Sequence, residues 1–140
     1  MTYIVVFDTN ILFSGFGWRG NPFRCLQLAR EGKMVSLTCR EILAEFEEKL
    51  RLKRNMPAIH AARAVTEVLS FSRLITITNT LKVVIADPDD NKVLECAIVG
   101  GATYIVTGDH HLLSLSSYQN IPIVSSTVFL GLVSATCASI

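Results

Sequence analysis

Two aspartates that end apolar runs are the first candidates for chemistry. "IVVFDTN" stops at Asp8, and "TYIVTGD" stops at Asp109. Tyr3–Phe7 is rich in β-branched residues and apolar on both faces, which predicts a central strand of a covered parallel sheet. Ligands bind in open α/β sheets at the carboxyl ends of the strands. Asp, Thr and Asn are also common turn and capping residues, so Asp8 alone has two interpretations, but a second strand-end acid favours a site.

A third acid precedes a predicted helix in "DPDDNKVLECAIV". On a helical wheel Asp90 lies near the centre of the apolar stripe, and Asp89 falls about 110° away. Asp87 is predicted to cap this helix and Pro88 to take its first position. Capping does not explain an inward Asp90, because a buried charge needs a partner.

The helix in "CREILAEFEEKLRLK" carries four glutamates, Glu41, Glu45, Glu47 and Glu48. Such a run is most often a solvated face. Only Glu45 and Glu47 border the apolar stripe, and periodicity does not choose between them.

Converging carboxylates repel one another unless a cation joins them. Oxygen-only ligands suit Mg²⁺ or Mn²⁺, which also bind phosphate oxygens. This chemistry predicts metal-assisted hydrolysis of a phosphodiester bond by bound water. An aspartyl-phosphate enzyme with Asp8 as nucleophile also fits a strand-end acid. It is disfavoured because Asn10 stands where some such phosphotransferases carry a second Asp.

Composition fits one globular domain over residues 1–140, and the formal net charge of +1 gives no global attraction for nucleic acid. No transmembrane span or signal peptide is evident in the sequence. The four cysteines are scattered without metal-ligand spacing, which is typical of reduced thiols in a cytoplasmic protein. They are Cys25, Cys39, Cys96 and Cys137.

Strands alternate with helices along the chain, which predicts an α/β fold with a mostly parallel central sheet flanked by helices. Three local predictions accompany it. "ILFSGFGWRGNPF" is a long flexible connection because of its glycines, Thr38 caps a helix, and "ITITNTLKVVIA" supplies two β-rich pieces.

Three blocks, "VVFDTNILFSGF", "EILAEFEEKL" and "DPDDNKVLECAIVGGATYIVTGDHHLL", resemble the PIN-domain ribonucleases, specifically the VapC-like toxins of toxin–antitoxin pairs. The resemblance implies a metal-dependent endoribonuclease that is silenced by an antitoxin. It chooses Glu45 over Glu47. The implied catalytic acids are Asp8, Glu45, Asp90 and Asp109, with Asp8, Asp90 and Asp109 as ligands of Mg²⁺ or Mn²⁺ and Asn10, Thr107 and His111 as supporting residues.

One departure concerns His111, which replaces an acid common in the resembled proteins. Loss of that charge would weaken a second metal, although His can ligate Mn²⁺ or contact phosphate, or lie on the surface without a role. An alternative function is therefore a non-catalytic PIN-fold module that binds RNA or another protein.

Trp18 and Arg19 in the glycine-rich segment are predicted RNA contacts, because aromatic and guanidinium planes stack on unpaired bases. The basic run Lys49, Arg51, Lys53 and Arg54 is predicted to be a solvated helix end. The high apolar content and the weakly specified tail also predict a homodimer, which is common in the resembled toxins.

Overall fold

The computed structural model describes residues 2–84 and 87–138, which form a six-stranded sheet with flanking helices. The strands are β1 (Ile4–Phe7), β2 (Val35–Thr38), β3 (Ser72–Leu74), β4 (Tyr104–Val106), β5 (Ser117–Tyr118) and β6 (Ile121–Val124). The helices are α1 (Thr9–Gly15), α2 (Asn21–Arg30), α3 (Arg40–Lys53), α4 (Ala58–Ser70), α5 (Asn91–Gly100), α6 (His110–Leu113) and α7 (Ser126–Ala138), and a 3₁₀ turn, Pro88–Asp90, directly precedes α5.

Strand β1 is central in the sheet. The strand order is β3-β2-β1-β4-β6-β5, and every neighbouring pair is parallel except β5 with β6. Val5 pairs with Ser36 on one side and with Tyr104 on the other. The residues that follow β1 and β4 therefore meet at the same edge of the sheet. The predicted α/β fold with a mostly parallel sheet is confirmed.

The core buries the last three residues of β1. Val5, Val6 and Phe7 are at most 1% exposed. Helix α5 packs across β1, β2 and β4, while α1 packs against α2 and α3. Burial on both faces explains why β1 is a continuous apolar run instead of an alternating one.

The predicted flexible connection after β1 is wrong at its start, because Thr9–Gly15 form helix α1. Gly15 lies in the last turn of this helix, where a Cβ would overlap the side chain of Leu26 on α2. Here glycine permits close helix packing and does not mark a loop.

The prediction that Thr38 caps a helix is also wrong. Thr38 is the last residue of β2, and Cys39 stands at the N-cap of α3 without a side-chain capping hydrogen bond. The hydroxyl of Thr38 is buried and has no hydrogen-bond partner among the described residues.

The prediction of two strands in "ITITNTLKVVIA" fails over residues 75–84, which form no strand; Ile85 and Ala86 lie outside the described residues. Side chains of α5 instead accept hydrogen bonds from the backbone N–H groups of this segment. Glu95 accepts backbone N–H groups of Thr78, Asn79 and Leu81 at 2.7–3.0 Å, and Asn91 accepts those of residues 83 and 84 at 2.7–2.8 Å. Strand β3 is formed by Ser72–Leu74, directly before this segment.

In the described part of the chain, no helix has the length and apolar character needed to cross a membrane. Cys25, Cys39 and Cys96 are buried free thiols. The side chain of Cys137 lies outside the described residues.

Candidate metal centre

Asp8 stands where β1 passes into α1, and its carboxylate makes two structural contacts. Oδ1 accepts the N–H of Ile11 at 2.9 Å, which caps the helix, and Oδ2 accepts a hydrogen bond from the hydroxyl of Thr107. The residue is only 3% exposed. Asp8 therefore does cap helix α1. Its carboxylate nevertheless lies at the sheet edge.

Thr107 connects the two strand-end acids. Its hydroxyl donates to Asp8 and accepts the backbone N–H of Asp109 at 3.0 Å. Asp109 in turn caps α6, since its Oδ1 accepts the N–H of His111 at 2.7 Å. The parallel pairing of β1 and β4 therefore brings Asp8 and Asp109 to one place through a shared hydroxyl.

Asp90 faces inward as predicted, with 8% of its surface exposed. Its Oδ2 is buried and has no hydrogen-bond partner among the described residues. Asp87 caps the 3₁₀ turn through the N–H of Asp89 at 3.2 Å. One carboxylate oxygen each from Asp87, Asp90 and Asp109 lies within 4.8 Å of the others.

Burial and like charge perturb these acids. Burial raises the pKa of Asp90 to about 7, and the carboxylates of Asp109, Asp87 and Asp8 add to the shift. Burial also raises the pKa of Asp8 to about 6, although hydrogen bonds from Thr107 and Ile11 oppose it. A cation at this position would relieve both the repulsion and the desolvation. The all-oxygen donor set and the unpartnered oxygen of Asp90 fit Mg²⁺ or Mn²⁺.

Glu45 borders the pocket that Asp8, Asp90 and Asp109 line, but unlike them it lies next to a positively charged side chain. Its Oε1 accepts a hydrogen bond from the hydroxyl of Thr9 and lies 3.2 Å from Nζ of Lys92. Burial alone would raise the pKa of Glu45, but these two partners bring it below its ordinary value. Glu47 instead forms an ion pair with Arg51 at 3.7 Å. Of the two glutamates that periodicity left open, Glu45 is therefore the one beside the acids.

Asn10 and Lys49 complete the rim of this pocket, which has a volume of about 40 Å³. Nζ of Lys49 donates to Oδ1 of Asn10 at 2.6 Å. The prediction of a solvated helix end is therefore wrong for Lys49, which lines the pocket together with Asp8, Asp90 and Asp109.

The remaining predicted residues lie outside the pocket. The ring of His111 stacks on His110 with 4.0 Å between centroids, and His111 does not belong to the group of acids whose oxygens converge. Trp18 is 58% exposed, with the guanidinium of Arg54 5.3 Å from its ring. Arg19 lies over Phe23 at 5.6 Å.

Sequence reasoning missed three residues of the pocket region: Asp87, Lys49 and Lys92. Asp87 was explained by capping alone, although a cap in a 3₁₀ turn keeps its second carboxylate oxygen available. Lys49 had a signal in the sequence, since it lies four residues after Glu45 and so on the same helix face. Lys92 is paired across helices α3 and α5, which helix periodicity does not report.

The family model described as "PIN domain" matches residues 4–111. A search of curated proteins found no match.

Two solved structures share the fold. The crystal structure of PAE2754 from Pyrobaculum aerophilum is 17% identical, with a TM-score of 0.65 and coverage of 96% of this chain and 99% of that chain. VapBC2 from Rickettsia felis, bound to a DNA fragment from their promoter, is 16% identical, with a TM-score of 0.61 and coverage of 87% of this chain and 98% of that chain.

Proposed function

The chain belongs to the PIN domain family, and from this premise we propose that it is a metal-dependent endoribonuclease that acts as the toxin of a toxin–antitoxin pair. The observation that carries the proposal is the convergence of carboxylate oxygens of Asp87, Asp90 and Asp109. One buried oxygen of Asp90 has no hydrogen-bond partner in the described part of the chain. The resemblance to VapC-like toxins supports the toxin role, and the fold shared with VapBC2 agrees with it.

In this proposal Asp87, Asp90 and Asp109, whose oxygens converge, would hold Mg²⁺ or Mn²⁺. The predicted ligand Asp8 lines the same pocket outside that group and would complete the set. The bound ion would supply an acidified water and charge stabilisation for the phosphate. Thr107 fixes the orientations of Asp8 and Asp109 through its shared hydroxyl. Glu45 forms an ion pair with Lys92, which favours its ionised form beside the pocket, and it would be placed to accept a proton from a water molecule there.

Asn10 and Lys49 are proposed to position the substrate. Their side chains are hydrogen-bonded to each other at the pocket rim, so that the ammonium of Lys49 is held where a phosphate would approach the acids. His111 supports the site indirectly, since its backbone N–H orients the carboxylate of Asp109.

The test is cleavage of single-stranded RNA with Mg²⁺ or Mn²⁺, with and without chelator, by the wild type and by Asp8→Asn. Asn retains an oxygen for the N–H of Ile11, so the helix cap survives while one negative charge is lost. We expect cleavage to collapse in this variant and in EDTA. Glu48→Gln, an equivalent change on the exposed face of α3, is the matched control and should cleave normally.

Retained metal-dependent cleavage in a well-folded Asp8→Asn protein would contradict the role of Asp8 as a ligand. Absence of cleavage with either metal in the wild type, with RNA still bound, would favour the non-catalytic RNA-binding module.

We further propose an antitoxin protein as partner, a homodimer as the assembly and a cytoplasmic location, where free thiols such as Cys25 stay reduced. Exposed apolar side chains such as Val128 and Leu74 leave surface for an interface. Light scattering at micromolar concentration should give twice the 15.4 kDa chain mass; a monomer would contradict the homodimer.

A further inference from the structure

Helices α1 and α3 form a continuous seam that begins at the acidic pocket. Three contacts follow one another along both helices: Thr9 with Glu45, Asn10 with Lys49, and Phe13 with Arg54. The residue numbers rise together on both sides, so the two helices run side by side in the same direction. The seam leads from the carboxylates to the segment that carries Trp18.

Arg54 ends this seam in an unusual environment. Its guanidinium lies 3.8 Å from the centroid of the Phe13 ring and 5.3 Å from that of Trp18, and Nη2 donates to the carbonyl oxygen of Phe13. Nη1 is buried and has no hydrogen-bond partner among the described residues. Gly17 makes this packing possible, because a Cβ there would overlap the guanidinium.

Trp18 is the one large aromatic side chain that the described residues expose so strongly, at 58% of its surface. It lies next to a cation, and more than half of its surface faces solvent. An indole supported by a guanidinium is a platform on which a planar, electron-rich ring can stack. Charge and shape therefore specify one kind of occupant, an anionic chain with planar groups.

We propose that the seam from Lys49 to Trp18 binds single-stranded RNA, with an unpaired base stacked on Trp18, which Arg54 supports, and the backbone phosphates passing Lys49 toward the acids. The inference rests on the proposed nuclease function and names its substrate class. A base inside a duplex has no free face, so double-stranded RNA does not fit the platform. Arg19, whose guanidinium lies over Phe23, stays a predicted RNA contact outside the pair of Trp18 and Arg54.

The experiment uses the fluorescence of Trp18, which is the sole tryptophan of the chain. The full-length protein in EDTA, where no cleavage occurs, is titrated with a short single-stranded oligoribonucleotide. Parallel titrations use the same strand in a duplex and an abasic strand of equal charge. Stacking predicts quenching and tight binding with the single strand, but weak binding and no quenching with the abasic strand and the duplex.

Variants separate stacking from charge. Trp18→Ala should weaken binding of the single strand about tenfold, as loss of one base–aromatic stack requires, without changing the affinity for the abasic strand. Trp18→Phe should restore most of the affinity. Val99→Ala, at an exposed site of similar exposure (57%) on α5, is the matched control and should bind as the wild type.

Equal affinities for the normal and abasic strands, or unchanged binding in Trp18→Ala, would overturn the platform even if metal-dependent cleavage is observed. Loss of antitoxin binding in Trp18→Ala with intact RNA binding would assign the surface to a protein partner and overturn the proposal as well. Conversely, stacking without any cleavage in Mg²⁺ or Mn²⁺ would refute the nuclease function and leave the platform in place.

Discussion

Asp90 and Glu95 are two buried carboxylates five residues apart, at the start and in the middle of α5, and their surroundings are opposite. They are 8% and 7% exposed. Glu95 accepts three backbone N–H groups and the hydroxyl of Thr78, whereas Asp90 has an oxygen without a partner and three acidic neighbours. The pKa of Glu95 is lowered because these hydrogen bonds outweigh its burial, while that of Asp90 is raised to about 7.

The difference shows that burial alone does not identify a functional acid. A structural carboxylate is surrounded by donors that lower its energy in the ionised form, as Glu95 is by residues 78–81. A carboxylate that serves a ligand is left with an unsatisfied oxygen and like charges, which only a cation or a proton can compensate. Hydrogen-bond partners, and not the depth of burial, distinguish a structural carboxylate from one that binds a ligand.

The largest expected effect that tests this comparison is loss of cleavage in Asp90→Asn. Removal of a direct ligand should lower the rate by more than about a hundredfold, beyond what loss of an outer partner costs. Because a repelling charge is removed, the melting temperature in EDTA should hold or rise. RNA cleavage assays and thermal unfolding measure the two. A strongly destabilised Asp90→Asn protein would make Asp90 a structural acid like Glu95.

A smaller effect, on stability, is expected for Glu95→Gln. The amide nitrogen cannot accept the N–H groups of residues 78–81, and a buried donor left unpaired costs about 1–3 kcal/mol. Urea denaturation measures the loss. The isosteric change Glu47→Gln, which breaks only a half-exposed ion pair with Arg51 at 3.7 Å, should cost under about 1 kcal/mol. Equal losses in the two variants would contradict the structural role of Glu95.

The last expected effect is on the pH dependence of stability in metal-free protein, and it has opposite signs for the two acids. The pKa of Asp90 is above its ordinary 3.8 in the folded state, so the free energy of unfolding falls as pH rises from about 4 to about 7. The pKa of Glu95 is below 4.5, so its contribution is present above about pH 4.5 and is lost as pH falls below it. Asp90→Asn should reduce the first slope, to which Asp8 also contributes between about pH 4 and about 6, and Glu95→Gln should reduce the second, measured by urea denaturation in EDTA. The same slope in both variants would break the comparison.

Much of the fold could be predicted from the sequence, because hydrophobic periodicity and composition indicate which residues are buried. The apolar run before Asp8 gave β1, and the wheel of α5 placed Asp90 inward. The segment 75–84 could not be predicted, since its β-branched residues favour strands while its backbone is satisfied by side chains of Glu95 and Asn91. These are long-range contacts that no local pattern encodes.

Only part of the pocket could be predicted from the sequence, because only some of its residues follow a local sequence pattern. Strand-end positions indicated Asp8 and Asp109, whereas Lys92 meets Glu45 only after α3 and α5 have packed together. From the sequence, capping is a sufficient explanation for Asp87. Only the structure shows that its carboxylate also lies close to two other carboxylates and so can share a ligand with them.

The hydrogen bond from Thr107 to Asp8 joins residues 99 positions apart in the chain, and this has a consequence for biosynthesis. Ribosomes add about 5–20 residues per second, so Asp8 emerges several seconds before its partner exists. Until β4 is made and pairs with β1, the acids have no common edge on which to gather. A nascent chain in which Asp109 has not yet been made cannot assemble the acidic pocket, so the proposed cleavage would begin only after about three-quarters of the polypeptide has been translated.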